Sequence, residues 1–135
     1  GRIISLISLE SGFHSDLTGQ ENIFLNGLLL GMSKKEIKNN FASIVDFAGI
    51  GDFITAPLYT YSSGMKLRLG FSIAIHAQPD ILLLDEVMAM GDEEFQKKSA
   101  AALERLFQSG VTVLMVSHFV DYLTEHCNRI IKVTK

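Results

Sequence analysis

The sequence has 135 residues, the size of one ordinary domain. Apolar residues make up 47% and charged residues 20%, which suffices for a buried core and excludes disorder. Lys and Arg number 12 against 15 Asp and Glu, a formal charge of −3, so no basic excess exists to hold a phosphate backbone and nucleic acid is not expected as a partner. The single cysteine, Cys127, cannot form an internal disulfide, and no Cys/His cluster supports zinc. No apolar run approaches the ~20 residues of a membrane helix, and the start has no signal-peptide layout. The chain opens at Gly1 without an initiator methionine and is expected to begin partway through something larger. A reducing, cytoplasmic setting is expected, with membrane attachment only through a partner.

Taken in chain order, Ile3 to Leu9 is a short apolar run that predicts a strand, broken by Ser11-Gly12. Thr18 with Glu21 is a capping-box pattern that starts a helix carrying Ile23, Phe24 and Leu28, with Gly31 ending it. Ser33 with Glu36 repeats the pattern ahead of Ile37, Phe41, Ile44, Val45 and Ala48, and Gly49 follows as a stop. Residues 49–61 hold Gly49, Gly51 and Pro57 and predict an irregular connector. An apolar helix is expected from Met65 to Ala77, closed by Pro79. Ile81 to Leu84 is a continuous apolar strand ending in Asp85-Glu86. Asp92 is an N-cap for a helix carrying Phe95, Ala102, Leu103 and Leu106, which Gly110 stops. Val111 to Val116 is another strand, apolar but for Thr112, followed by Ser117-His118, a short helix over 119–126 and a last strand from Arg129 to Val133. Alternating strands and helices, with strands apolar on both faces, predict an α/β fold: a parallel sheet covered by helices. The helical stretch 20–60 reads as a subdomain inserted after the first strand.

Three places carry chemistry. A buried strand delivers Asp85 and Glu86 at its C-terminal end, where parallel α/β sheets bind ligands. Asp85 can hold a hydrated Mg²⁺ and Glu86 can orient a water for in-line attack on phosphate; the plain alternative is a solvated pair ending a strand. His118 follows the neighbouring apolar strand and would face the same crevice, contacting a transferring phosphoryl group; His14, His76 and His126 carry no such positional argument. Tyr61-Ser62-Ser63-Gly64-Met65 runs small residues into a helix start, whose free N–H groups and dipole suit an anion, although such a cap is more often only a cap.

In this order and spacing the three resemble the nucleotide-binding domain of ABC transporters, across essentially the whole chain. Tyr61, Ser62, Ser63, Gly64 and Met65 resemble the signature motif. Ile81 to Asp85 resembles Walker B with Glu86 as catalytic glutamate, Gly91-Asp92 resembles the D-loop, and His118 the switch histidine. Gly12-Phe13-His14, Leu17 to Ile23, Tyr59 to Met65 and Asp85 to Asp92 resemble the polysaccharide and polyol-phosphate exporter branch, which exports O-antigen, capsule or teichoic-acid chains.

The resemblance implies a P-loop NTPase-type sheet divided into a Q-loop region (1–19), a helical subdomain (20–60) and a core with signature, Walker B, D-loop and switch histidine (61–135). It implies ATP and Mg²⁺ as cofactors. Asp85 would be the metal residue, Glu86 and His118 the catalytic pair, and Tyr61 to Met65 with Asp92 the nucleotide contacts. It implies a homodimer of nucleotide-binding domains against an ABC-2 type transmembrane permease, on the cytoplasmic face of the inner membrane. The phosphate-cradling G-x-x-x-x-G-K-[ST] loop is missing, since no glycine is followed by lysine. In this family that loop lies upstream of the stretch matched here, so the chain is expected to be a piece of a larger ATPase, inactive alone and with an incomplete core. The strand that carries the loop would lie between those at 111–116 and 129–133, so a gap or a displaced C-terminus is expected there. A non-catalytic pairing module and a soluble ABC ATPase acting on nucleic acid or ribosomes are the rival readings; the charge counts against the latter.

Overall fold

The structure is a computed structural model that describes residues 1–85 and 91–134. Along the chain run β1 (Ile3–Ser5), α1 (Gly19–Leu29), α2 (Lys34–Ala48), two 3₁₀ turns (Gly51–Thr55 and Leu58–Thr60), α3 (Ser63–His76), β2 (Ile81–Asp85), α4 (Glu93–Gln108), β3 (Thr112–Val116) and α5 (Val120–His126).

Local chemistry sets most boundaries. Both capping boxes form: the Glu21 N–H donates to Thr18 Oγ1 at 3.1 Å while the Thr18 N–H donates to the Glu21 carboxylate at 3.0 Å, and Ser33 and Glu36 reciprocate at 3.1 and 2.6 Å. Gly49 closes α2 at φ 64°, a left-handed conformation that an L side chain would resist. β1 is shorter than the apolar run predicted. Leu6 N–H still reaches the Leu83 carbonyl at 2.9 Å, but Ser5 Oγ then takes the Ile7 N–H and Ser8 O accepts from Ser11. These serines offer the backbone local partners in place of a ladder.

The three strands form one parallel sheet in the order β1-β2-β3. Register places Ile4, Leu82 and Val113 in one row, with Leu84 and Met115 in the next row on the same face. That face joins a core with Leu69, Phe71 and Ile73 of α3, Phe95 and Leu103 of α4, and Ile23, Ile37 and Ile44 of α1 and α2. Continuity of this core makes the helical stretch part of the same packed body. The opposite face is different. Ile3, Leu114 and Val116 remain 65%, 63% and 61% exposed. The strands are apolar on both faces, as the sequence indicates, but helices cover only one among the described residues.

The expected last strand at 129–133 does not form: residues 127–134 have no helix or strand and pair with no element of the sheet. Between β3 and this segment lies a cleft of about 490 Å³ lined by Val113, Met115, Leu123, Ile130 and Ile131 among others. β3 is therefore an open edge. A strand needs a neighbour to take its N–H and C=O groups, and among the described residues the segment from Arg129 is paired with none. A gap at this place is what the resemblance described above implies.

Candidate functional site

Two elements bring two of the candidate side chains to one end of the sheet. Asp85 closes β2 and is paired in register with Val116, the last residue of β3; Ser117 and His118 follow directly. Because the strands are adjacent and parallel, Asp85 and His118 emerge at the same C-terminal edge, and both are exposed. Ser117 Oγ accepts the Phe119 N–H at 3.0 Å, turning the chain away from the strand. Leu82 and Leu84, 0% and 3% exposed, anchor the strand that carries Asp85. Glu86 lies outside the described residues.

Ser62 caps α3, its Oγ accepting the Met65 N–H at 3.1 Å. Ser62 and Ser63 are exposed and Gly64 is half-buried. A Cβ on Gly64 would meet nothing closer than Ser62 Oγ at 3.9 Å, so the backbone of this first turn is open to approach. Tyr61 faces the other way. It is buried, its hydroxyl donates to the Phe53 carbonyl, its ring packs edge-on to Phe53, and burial pushes its phenol pKa up. Gly19 lies so close to that hydroxyl that no side chain would fit there. Tyr61 thus anchors the turn from inside while Ser62 to Gly64 face outward. Met65 is half-buried against the core.

Asp92 caps α4 through the Phe95 N–H at 2.8 Å. Its other carboxylate oxygen stands 4.0 Å from Arg68 Nη1, which links α3 to the start of α4. Arg68 Nε is buried with no partner among the described residues. Sequence reasoning missed Arg68; the available signal was a lone cation inside the apolar helix Leu67 to Ile75.

A second surface lies along the loop before α1. Residues 12–18 are held by Asn22 and Asn26, both buried on α1. Beside them a groove of about 240 Å³ runs between the 8–13 turn, α1 and α3; Ser8 and Ser11 sit on its rim, Leu9, Phe13 and Ile73 below. Leu28, Leu29 and Ile7 are exposed on this side of the molecule, at 46%, 65% and 57%. These asparagines were also missed; their four-residue spacing, which puts both on one helix face, was the signal.

Comparison with known proteins identifies the family and the fold. A family model described as ABC transporter matches residues 1–89. The chain is 49% identical over 129 residues to an "ABC transporter protein AbcA" of Aeromonas salmonicida (96% of this chain, 42% of that one). It is 44% identical over 131 residues to an "O-antigen export system ATP-binding protein RfbB" of Klebsiella pneumoniae (97% and 53%). It is 43% identical over 125 residues to a "Teichoic acids export ATP-binding protein TagH" of Bacillus anthracis (93% and 23%). The chain thus spans about half or less of the length of these relatives. A solved "ATP binding subunit of ABC transporter" superposes with a TM-score of 0.76 over 94% of this chain and 52% of that one, at 16% identity, which shows a shared P-loop NTPase-type fold. The chain belongs to the ABC transporter family of ATP-binding domains.

Proposed function

We propose that this chain supplies the signature-helix, Walker B and switch-histidine part of the ATP-binding subunit of an ABC exporter, and that the whole subunit energises translocation of a cell-surface polysaccharide or polyol phosphate across the cytoplasmic membrane. The observation that carries this reading is the pairing of β2 with β3, which sets Asp85 beside the turn that holds His118. The relatives named for O-antigen and teichoic-acid export support the substrate class.

A hydrated divalent cation suits an exposed carboxylate at a sheet edge, because Mg²⁺ prefers hard oxygen ligands and keeps its waters. Asp85 is the residue that would hold it, and bound Mg²⁺ would neutralise the phosphate charge of ATP. Glu86, next in sequence, is the residue proposed to orient the attacking water. His118 contacts the terminal phosphate and Asp92 couples the paired sites. The exposed start of α3, Ser62 to Gly64, offers N–H groups and the positive end of a helix dipole to the phosphate held by a second domain. Closure of the dimer then depends on ATP, which is how binding energy becomes movement.

The stretch 20–60 acts as the helical subdomain. With the Phe13–His14 loop it receives an ABC-2 type permease at the cytoplasmic face, and membrane contact comes only through that partner. No described helix is long and apolar enough to cross a membrane.

No glycine in these 135 residues is followed by lysine, so the sequence holds no G-x-x-x-x-G-K-[ST] loop, and we expect the chain by itself not to turn over ATP. The test of the assignment is Glu86→Gln in the intact subunit. ATP binding is expected to persist while turnover falls at least ~100-fold, the scale of losing a positioned general base. Unchanged turnover removes the role.

A further inference from the structure

The two faces assigned above, the partner-facing loop and the phosphate-facing helix start, are joined by a continuous set of hydrogen bonds. On one side of the loop stands α1. The His14 N–H donates to Asn22 Oδ1 at 2.8 Å. The Asn22 amide returns to the carbonyls of His14, Leu17 and Thr18 at 3.0, 3.2 and 2.9 Å. One turn further on, Asn26 donates to the Gly12 carbonyl at 3.2 Å. On the other side stands the segment that leads into α3. The Leu58 N–H donates to Leu17 O at 2.9 Å and the Tyr59 N–H to Ser15 O at 3.0 Å, while the Gly19 N–H donates to Ala56 O at 3.2 Å. Tyr61 then closes the unit through its N–H to Leu58 O at 3.0 Å and its hydroxyl to Phe53 O, and Ser62 begins α3.

We infer that Asn22 is a positioning residue that makes the 12–18 loop, the start of α1 and residues 56–62 one rigid body, so that a partner pressing on Phe13–His14 shifts the Ser62–Gly64 helix start with it. The inference rests on the proposed function for the identity of the two faces, but the rigid unit itself stands on geometry. A fully buried side-chain amide spends every donor and acceptor on backbone of one loop, which leaves that loop a single low-energy arrangement. The loop backbone in turn bonds the segment leading into the helix start, so no flexible linker separates the two faces.

The experiment has two arms. In this chain, amide hydrogen exchange is followed at Leu58 and Tyr59 in the native protein, in Asn22→Ala and in Gly12→Ala, whose added Cβ would collide with the Asn26 side chain. Exchange at Leu58 and Tyr59 is expected to rise at least tenfold in Asn22→Ala, although neither amide touches Asn22, and to rise also in Gly12→Ala. Protection unchanged in both variants overturns the rigid unit. In the intact subunit reconstituted with its membrane partner, Asn22→Ala is expected to keep the unstimulated kcat and KM for ATP within twofold while losing most of the partner-stimulated rate; Asn22→Gln is expected to recover part of it. Stimulation retained in full by a folded Asn22→Ala overturns the coupling. Absence of any ATP turnover by the native subunit would instead sink the ATPase assignment and leave the exchange arm to judge the rigid unit.

Discussion

Between Gly12 and Ala77 most of the closure comes from within: two capping boxes, two buried asparagines and an aromatic contact of Phe47 with Phe71 are all made by residues of the same stretch. From Thr112 onward the same kind of sequence stays open. Leu114, Val116, Phe119, Ile131 and Val133 are more than half exposed, and the segment after α5 pairs with nothing in the sheet. The apolar content of the two regions is alike, so the contrast is one of topology. Capped helices can be completed from within. A strand in a parallel sheet requires neighbours supplied from elsewhere in the fold.

That contrast can be broken at its strongest point first. Phe71→Ala removes a fully buried ring from the covered side and is expected to cost about 3–5 kcal/mol in urea unfolding. Leu114→Ser on the bare face of β3 is expected to change stability by no more than about 0.5 kcal/mol. Equal losses at both positions would mean that the bare face is buried in solution. Ser33→Ala comes next. It removes the α2 cap and is expected to cost about 1 kcal/mol by thermal melting, whereas Phe119, at the N-cap of α5, offers no side-chain cap to lose.

The smallest effect belongs to Glu36. The Ser33 N–H and then the Arg2 guanidinium at 2.8 Å hold its carboxyl at about 2, against an ordinary 4.5. The folded state therefore binds its proton less readily than the unfolded chain. The stabilisation is complete above pH 4.5 and is lost as pH falls from 4.5 towards 2. Glu36→Gln is expected to flatten the stability–pH curve in that window and leave its shape near neutrality unchanged. An unaltered acid limb would show that the Arg2–Glu36 contact is not kept in solution.

What was legible in the sequence follows the same line. Helix starts at Thr18, Ser33 and Asp92 could be read because a cap is decided within four residues, whereas α3 begins at Ser63, ahead of the expected Met65, because Ser62 caps it. Ile81 to Asp85 could be read because a run of branched and long apolar side chains has no other home than a buried strand. The run from Ile3 to Leu9 misled because Ser5 and Ser8 compete for backbone groups, and Arg129 to Val133 misled because an apolar run carries no record of whether a strand stands beside it to complete its ladder. Asp85, Ser62 and His118 could be placed at element ends from residue type, as the structure has them. Tyr61 could not be seen to face inward, since only the fold brings Phe53 and Gly19 against it. Asn22 and Arg68 escaped notice because a buried polar side chain is distinguished by what surrounds it and not by its own identity.

The central claim is that the tip of β2 meets the metal-bound phosphates of ATP. Its most direct test is Asp85→Asn in the intact subunit, which keeps the shape of an exposed side chain and removes its charge. Mg-dependent ATP turnover is expected to fall at least ~100-fold with the melting temperature within about 2 °C of the native protein. Turnover within twofold of native, at saturating Mg²⁺ and ATP, would contradict the claim.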